Sequence, residues 1–247
     1  MNKQIFHIAF TVLLSSVRKN LLLASLLIML PLLLAAWLFE ASNPGFQTGF
    51  IYDAGGAMMA ILAVIFGTVM SFEHLFWPVE QPTPWFYFSR LKSRIAFPAG
   101  KFIGISTVMA SVLFDFSLLL IVFIRLTTGD WLFEPLRIAI LTWAEYSVFL
   151  AVFIFLSTFL SRLMSVGLML PIYFVAQSSL YLKETLSQPG INVIAEIILA
   201  IFPDTGIFES VLQAGEWHHI LFAILYSLAM SAFYIILAGI SLKRRDL

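Results

Sequence analysis

Two acidic residues, Asp115 and Glu145, lie inside long apolar runs of the sequence. A carboxylate at the centre of a bilayer costs about 2.5–3.5 kcal/mol even on a lenient scale, so each side chain is expected to face protein or water and to find a partner or a proton. A role in a transport pathway is one interpretation. The other is a buried hydrogen bond between neighbouring helices, for instance Asp115 with Ser111 one turn earlier or Glu145 with Thr142. The sequence favours neither interpretation.

Motifs for catalysis or metal binding are missing. Gly100-Lys101 lacks the Ser or Thr that follows them in a phosphate-binding loop, so we expect no ATPase site in this chain. No metallo-, serine or aspartyl protease motif is present. Glu216, His218 and His219 are a weak metal candidate, because adjacent side chains on a helix point about 100° apart. We therefore expect no catalysis, metal or cofactor in this chain itself.

The composition is that of a membrane protein. Of the 247 residues, 61% are hydrophobic and 11% are charged, whereas about a quarter of the residues of soluble proteins are charged. The formal net charge is zero and cysteine is absent. A neutral chain has no basic excess to hold nucleic acid, so a lipid bilayer is the expected surrounding and nucleic acid is not an expected partner.

Apolar runs predict an all-α integral membrane protein with six transmembrane helices in a single domain, residues 1–247, since each crossing needs about 20 apolar residues. The predicted spans are Leu21–Phe39, Ala54–Phe72, Phe102–Ile124, Ile138–Leu160, Ser165–Leu182 and Ile220–Leu242. Eleven Lys and Arg residues fall on one side of these spans and three on the other. Cytoplasmic loops carry the excess, which places both termini in the cytoplasm.

Residues Asn2–Lys19 precede the first span and place apolar side chains at helical spacing. This pattern predicts an amphipathic elbow helix in the plane of the interface. The alternative is a frayed, basic N-terminus.

The longest cytoplasmic loop, residues 73–101, is rich in aromatic side chains and then in Arg and Lys. Such residues cover either the lipid headgroups or a partner protein, and composition does not decide between them.

The external segment, residues 183–219, contains an apolar stretch too short to cross the bilayer. Breakers at Pro189-Gly190 and Pro203–Gly206 surround it, which predicts short re-entrant helices before the last span. Ile198, Ile201 and Phe202 supply an apolar face for an external gate. A static cover is an equal alternative, while a seventh span conflicts with the charge count.

Small residues recur at four-residue spacing in two spans and predict faces where helices approach closely. One face is Ala63, Gly67 and Ser71, and the other is Ala223, Ser227 and Ser231.

Three stretches resemble a known family. The run Tyr87–Gly104, YFSRLKSRIAFPAGKFIG, is similar to the loop after the second span of ABC-2 type transporter permeases, with its S-R-P-x-S-R and G-K-x-x-G pattern. Leu91 stands where the family commonly has proline. Pro203-Asp204 before Phe208, and the ending Lys243–Leu247, also resemble family stretches. The compact form is similar to the permease of the nitrous-oxide-reductase maturation transporter.

The resemblance implies a permease of an ABC exporter in a bacterial inner membrane, without indicating its substrate. It implies two permease copies and two separate ATP-binding cassette ATPase subunits, which bind ATP and Mg. The residues that it assigns to ATPase docking are Glu73, His74, Trp85, Ser89, Arg90, Ser93, Arg94 and Lys101. A non-transporting membrane protein, such as an assembly factor or an intramembrane enzyme, is the competing class.

Overall fold

The backbone is helical, as the apolar runs predict. A computed structural model describes residues 2–42, 49–76, 93–179, 203–214 and 217–244, and these residues form helices and turns without a β-strand. Helices suit a lipid surrounding because they satisfy their backbone groups internally. In chain order the α-helices are α1 (Asn2–Arg18), α2 (Leu21–Ser42), α3 (Gly49–Ser71), α4 (Ala96–Thr128), α5 (Glu134–Ser157), α6 (Arg162–Gln177), α7 (Gly206–Ala214) and α8 (Trp217–Arg244). A π-helical turn, Phe72–Phe76, follows α3 directly.

Four of the described helices are long and apolar enough to cross a membrane. These stretches are Asp53–Leu75, Ala96–Thr127, Glu134–Ser157 and His218–Lys243. They give the chain the character of a multi-pass membrane protein. α6 has 16 residues, which is short of the roughly 20 that a crossing needs. The first two helices pass the same test only as a bent pair, Lys3–Arg18 with Leu23–Ala35, so the count of six spans stays a prediction.

The N-terminal helix meets the next helix at a bend. The angle between Lys3–Arg18 and Leu23–Ala35 is 48°, and Asn20 at the bend has a φ of 50°, a left-handed conformation that Asn tolerates better than most residues. Residues Asn2–Arg18 are helical, in keeping with the elbow prediction. The position of α1 in the membrane interface stays a prediction.

Two glycines of α4 allow α1 to lie directly against it. A Cβ added at Gly100 would lie 2.7 Å from Cβ of Ile8, and one added at Gly104 would lie 2.7 Å from Cβ of Val12. Real Cβ atoms do not come that close, so only glycine fits at both positions. Val12 is fully buried in this contact. The Gly-Lys-x-x-Gly pattern of the sequence therefore seats α1 on α4.

Helix α5 is the centre of the bundle. Sixteen of its 24 residues are buried, and it packs against α3, α4, α6, α7 and α8. The predicted small face of α8 does approach it closely, because Ala223 is fully buried and Oγ of Ser227 donates a 2.6 Å hydrogen bond to the carbonyl of Ala144. This part of the small-residue prediction is confirmed.

Candidate functional site

The π-helical turn carries Glu73 and His74 against α1. Nε2 of His74 lies 3.0 Å from Oγ of Ser15, and Lys19 forms an ion pair with Glu73. Lys101 of α4 is buried and lies within electrostatic range of Glu73 and His74. We call these five residues the elbow cluster. Three residues predicted to dock an ATPase are thus brought together, and Ser15 of α1 and Lys19 in the turn after α1 complete the group.

Only the outer part of the elbow cluster is open to a partner. The side chains of Lys19 and Glu73 are 50% and 35% exposed, whereas His74 and Lys101 are only 9% and 5% exposed. A buried ammonium group needs a nearby opposite charge, which Glu73 supplies. Glu73 is therefore the residue that links the interior of the cluster to its surface.

The π-helical turn also involves Arg162, whose role the sequence interpretation missed. A π-turn disturbs the regular helical hydrogen bonds. Nη2 of Arg162 donates to the carbonyl of Phe72 at 3.3 Å, and its guanidinium lies 5.0 Å from the centre of the Phe72 ring. The signal in the sequence that could have indicated this role is the position of Arg162, a basic residue at the very start of an apolar run. Arg162 fixes the start of α6 to the end of α3.

Arg94 is engaged by the last helix. Its Nη1 donates to the carbonyl of Leu242 at 2.6 Å and to that of Lys243 at 3.2 Å. These carbonyls belong to the last turn of α8, where helical partners are missing and a positive charge is favourable. Arg94 thus has a structural role besides the docking role that the resemblance implies. Ser93 is half-buried beside it, while Trp85, Ser89 and Arg90 lie outside the described residues.

These contacts lie at one end of the bundle. Arg94 precedes α4, whose second turn carries Lys101, and Lys101 faces the π-helical turn that Arg162 contacts. The charge count placed Lys19, Arg94, Lys101 and Arg162 on one side of the membrane, and the structure groups them in the same way. That this side is cytoplasmic stays a prediction.

Glu145 is held by a residue of another helix. Nε2 of Gln177 on α6 donates a 2.5 Å hydrogen bond to Oε1 of Glu145, so the expected hydrogen bond between helices is present, with Gln177 in place of the predicted partner Thr142. Tyr146 follows Glu145 on α5, and its hydroxyl lies 3.1 Å from the hydroxyl of Tyr173 on α6. Two polar contacts therefore join α5 to α6 within apolar surroundings.

Asp115 is half-buried on α4, away from this pair of contacts. Among the described residues it makes no hydrogen bond or ion pair, and Oγ of Ser111 donates instead to the carbonyl of Thr107 at 3.0 Å. The predicted pairing with Ser111 is wrong. Within the described part of the chain, the two intramembrane carboxylates do not form one site.

The turn Pro203–Gly206 joins α6 to α7 and α8. Oγ1 of Thr205 donates to the carbonyl of Ala176 at 2.6 Å, and the N–H of Gly206 donates to Oγ of Ser179 at 3.1 Å. The N–H of Asp204 donates to the hydroxyl of Tyr226 at 2.8 Å. The start of α7 is thereby fixed to two neighbouring helices.

The end of α7 is fixed as well. Nη2 of Arg137 donates to the carbonyl of Leu212 at 2.9 Å, and Arg137 also pairs with Glu134. Phe208 and Val211 of α7 are buried against α5 and α8. This part of the predicted external segment is a packed element, and the choice between a static cover and a moving gate stays a prediction. Ile198, Ile201 and Phe202 lie outside the described residues.

Comparison with known proteins does not indicate a function, so a functional assignment has to rest on the residues of this chain. No protein-family model matches the sequence, and no characterised protein matches it either. Within the described residues no three His, Asp or Glu side chains lie together as a metal site would require. The rings of His218 and His219 lie 4.1 Å apart.

Proposed function

We propose that this chain is the membrane-spanning permease subunit of an ATP-binding cassette exporter. The elbow cluster carries this proposal. The resemblance assigns Glu73, His74 and Lys101 to ATPase docking, and these residues share one cluster although they come from separate helices. A surface that receives force from an ATPase has to be tied firmly to the spans, and the cluster is joined to α1, α3 and α4.

The neighbouring contacts support the same proposal. Arg94 ties the start of α4 to the end of α8, and Arg162 ties α6 to the π-helical turn. A movement imposed at this end of the bundle would therefore reach α4, α6 and α8 together. In the complex, two ATPase subunits would bind ATP and Mg, and this chain would move a substrate outward across the inner membrane with both termini in the cytoplasm.

A second permease copy belongs to the proposal. α6 buries only Ser165 and Ala176, and α2 exposes Leu23, Leu27 and Leu38. Such faces suit lipid or a second copy. Because the chain has no cysteine, single cysteines along Leu23–Leu38 and Ser165–Ser178 can test this directly. Disulfide crosslinks between copies are expected, and their complete absence would contradict a pathway between the two chains.

Co-purification with the cassette ATPase encoded beside this chain tests the docking. Arg90→Glu is the variant of choice, because Arg94 also has a structural role and its loss would confuse binding with folding. Arg125→Glu is the matched control, since Arg125 is exposed at the far end of α4. We expect Arg90→Glu to reduce the recovered ATPase about tenfold and Arg125→Glu to leave it unchanged. Equal recovery with both, or the lack of such an ATPase, would favour a non-transporting membrane protein.

A further inference from the structure

The small-residue face of α3 borders a cavity. Ala63, Gly67 and Ser71 line a space of about 270 Å³ between α3, α5 and α6. The nearest atom to a Cβ built at Gly67 is Sδ of Met109, 4.0 Å away, so there is room for a side chain at this position. Ala63 and Ser71 are buried, as a close helix contact requires, whereas the half-buried Gly67 borders open space.

The cavity lining is mostly apolar, and some of its residues are exposed while others are buried. Val64, Leu170 and Phe174 line it and are 44%, 57% and 66% exposed, whereas Tyr146 and Ser71 are 8% and 1% exposed. The lining residues of α3 extend over eight positions, which at the helical rise is about 12 Å. The exposed lining residues leave the cavity open at the surface of the bundle.

Ser71 is the unusual residue of this lining. Its Oγ is buried and has no hydrogen-bond partner in the described part of the chain. A serine in a helix ordinarily donates to a carbonyl one turn back, as Ser111 does here. A buried hydroxyl without a partner is unfavourable, and of the described serines in this state, Ser71, Ser165 and Ser231, only Ser71 lines the cavity, where a bound group could reach it. Ser71 also immediately precedes the π-helical turn, a feature that is frequent at functional sites.

We propose that this cavity binds the hydrocarbon tail of a lipid whose carbonyl oxygen accepts a hydrogen bond from Ser71. The volume lies just under the roughly 300–1,000 Å³ of typical ligand pockets, which suits one tail rather than a whole phospholipid. The apolar wall excludes a polar solute, and the open rim admits a chain from the bilayer. This site does not depend on the proposed transport function.

Photolabelling of the full chain in nanodiscs tests the site. The probes are a palmitate analogue with a diazirine in its tail and a phosphatidylcholine that carries the same tail, so that a free fatty acid and a bilayer lipid are distinguished. We expect the label to map to α3 and to Met169–Phe174 of α6. Labelling spread evenly over the exposed helices would mean ordinary bilayer contact and would overturn the proposal.

Two glycines provide a matched pair of variants. Gly67→Leu fills the cavity, whereas Gly167→Leu adds the same side chain on α6 where nothing lies within 4 Å. We expect Gly67→Leu to lower specific labelling at least tenfold and Gly167→Leu to leave it unchanged. The same labelling in both variants would contradict the site.

Ser71→Ala keeps the proposal testable if Gly67→Leu does not fold. Removing the unpartnered hydroxyl should weaken labelling about fivefold and should leave the thermal stability of the lipid-free protein equal or higher. A clear loss of stability would show that Ser71 has a partner within the protein, and unchanged labelling would show that no ligand carbonyl binds it. Either result would overturn the proposal.

Discussion

Arg94 and Leu242 lie 148 residues apart in sequence, yet a 2.6 Å hydrogen bond from the guanidinium to the carbonyl joins them. The bond connects the start of α4 to the end of α8 and supplies a positive charge where the last helix ends. One side chain thus ties the C-terminal end of the last helix to the start of α4.

Arg94→Ala should therefore destabilise the fold. Hydrogen bonds from charged groups contribute about 1.5–3 kcal/mol, and partial exposure of this one favours the lower end of that range. The free energy of unfolding in mixed micelles measures the loss. Arg125→Ala is the control, because Arg125 is exposed and contacts only the ring of Trp131 among the interactions described. Equal stability of the two variants would contradict a capping role for Arg94.

Gly104→Ala should displace α1. The added Cβ would lie 2.7 Å from Cβ of Val12 and 3.0 Å from the carbonyl oxygen of Ala9, and such overpacking costs about 1–3 kcal/mol. Gly167→Ala has open space around it, and should gain up to about 1 kcal/mol from helix propensity. We therefore predict that Gly104→Ala lowers the free energy of unfolding and that Gly167→Ala raises it.

A cysteine at position 12 provides a second measurement of the same effect. Val12 is fully buried in the native protein, so Val12→Cys should react slowly with a thiol reagent. Combined with Gly104→Ala, the same cysteine should react quickly, because α1 has moved off α4. Slow reaction in both backgrounds would mean that α4 accommodates the methyl group without moving α1.

Glu73→Ala should cost more stability than Lys19→Ala. Both substitutions break the exposed ion pair, which contributes about 0–1 kcal/mol. Only the first also leaves the buried Lys101 without its neighbouring negative charge, and an uncompensated buried charge is much more costly. Chemical unfolding of the two variants compares them directly. If Lys19→Ala is equally or more damaging, Lys101 does not depend on Glu73.

Substitutions at Glu145 separate its two possible roles. Glu145→Gln keeps the shape and a polar contact to Gln177, so the folded protein should lose little stability. Gln177→Leu removes the donor from the carboxylate and should cost about 1–3 kcal/mol. If Glu145 acts in a pathway, Glu145→Gln should abolish ATP-dependent transport by the assembled complex while stability is kept. Full transport with Glu145→Gln would leave the residue a purely structural role.

Helix positions were accessible from the sequence, whereas the partners of the polar residues were not. The apolar run Phe102–Ile124 lies inside α4, and the run Ile220–Leu242 lies inside α8, because hydrophobic length alone defines a crossing. The true helices are longer at both ends. Their terminal turns are amphipathic, so they do not belong to the apolar run.

The partner of Glu145 shows the limit of such reasoning. A single sequence suggests only neighbours one helical turn away, and so it suggested Thr142. Gln177 lies 32 positions further on, and its contact depends on how α5 and α6 pack. Arg94 and Arg162 were counted as charges on one side of the membrane, and they lie at the same end of the bundle. Their acceptors are backbone carbonyls, which carry no residue-specific signal in a sequence.

Because α6 is short, its packing should depend on the thickness of the surrounding bilayer. Sixteen residues extend about 24 Å, against a hydrocarbon core of about 30 Å. A helix that is too short is accommodated by local thinning of the bilayer or by cover from other protein segments. Gln177 near the end of α6 holds Glu145, and Leu170 and Phe174 form the rim of the cavity. A change in the acyl-chain length of the surrounding lipids would therefore change the mismatch at α6. That change would act on the Gln177–Glu145 hydrogen bond and on the rim of the cavity.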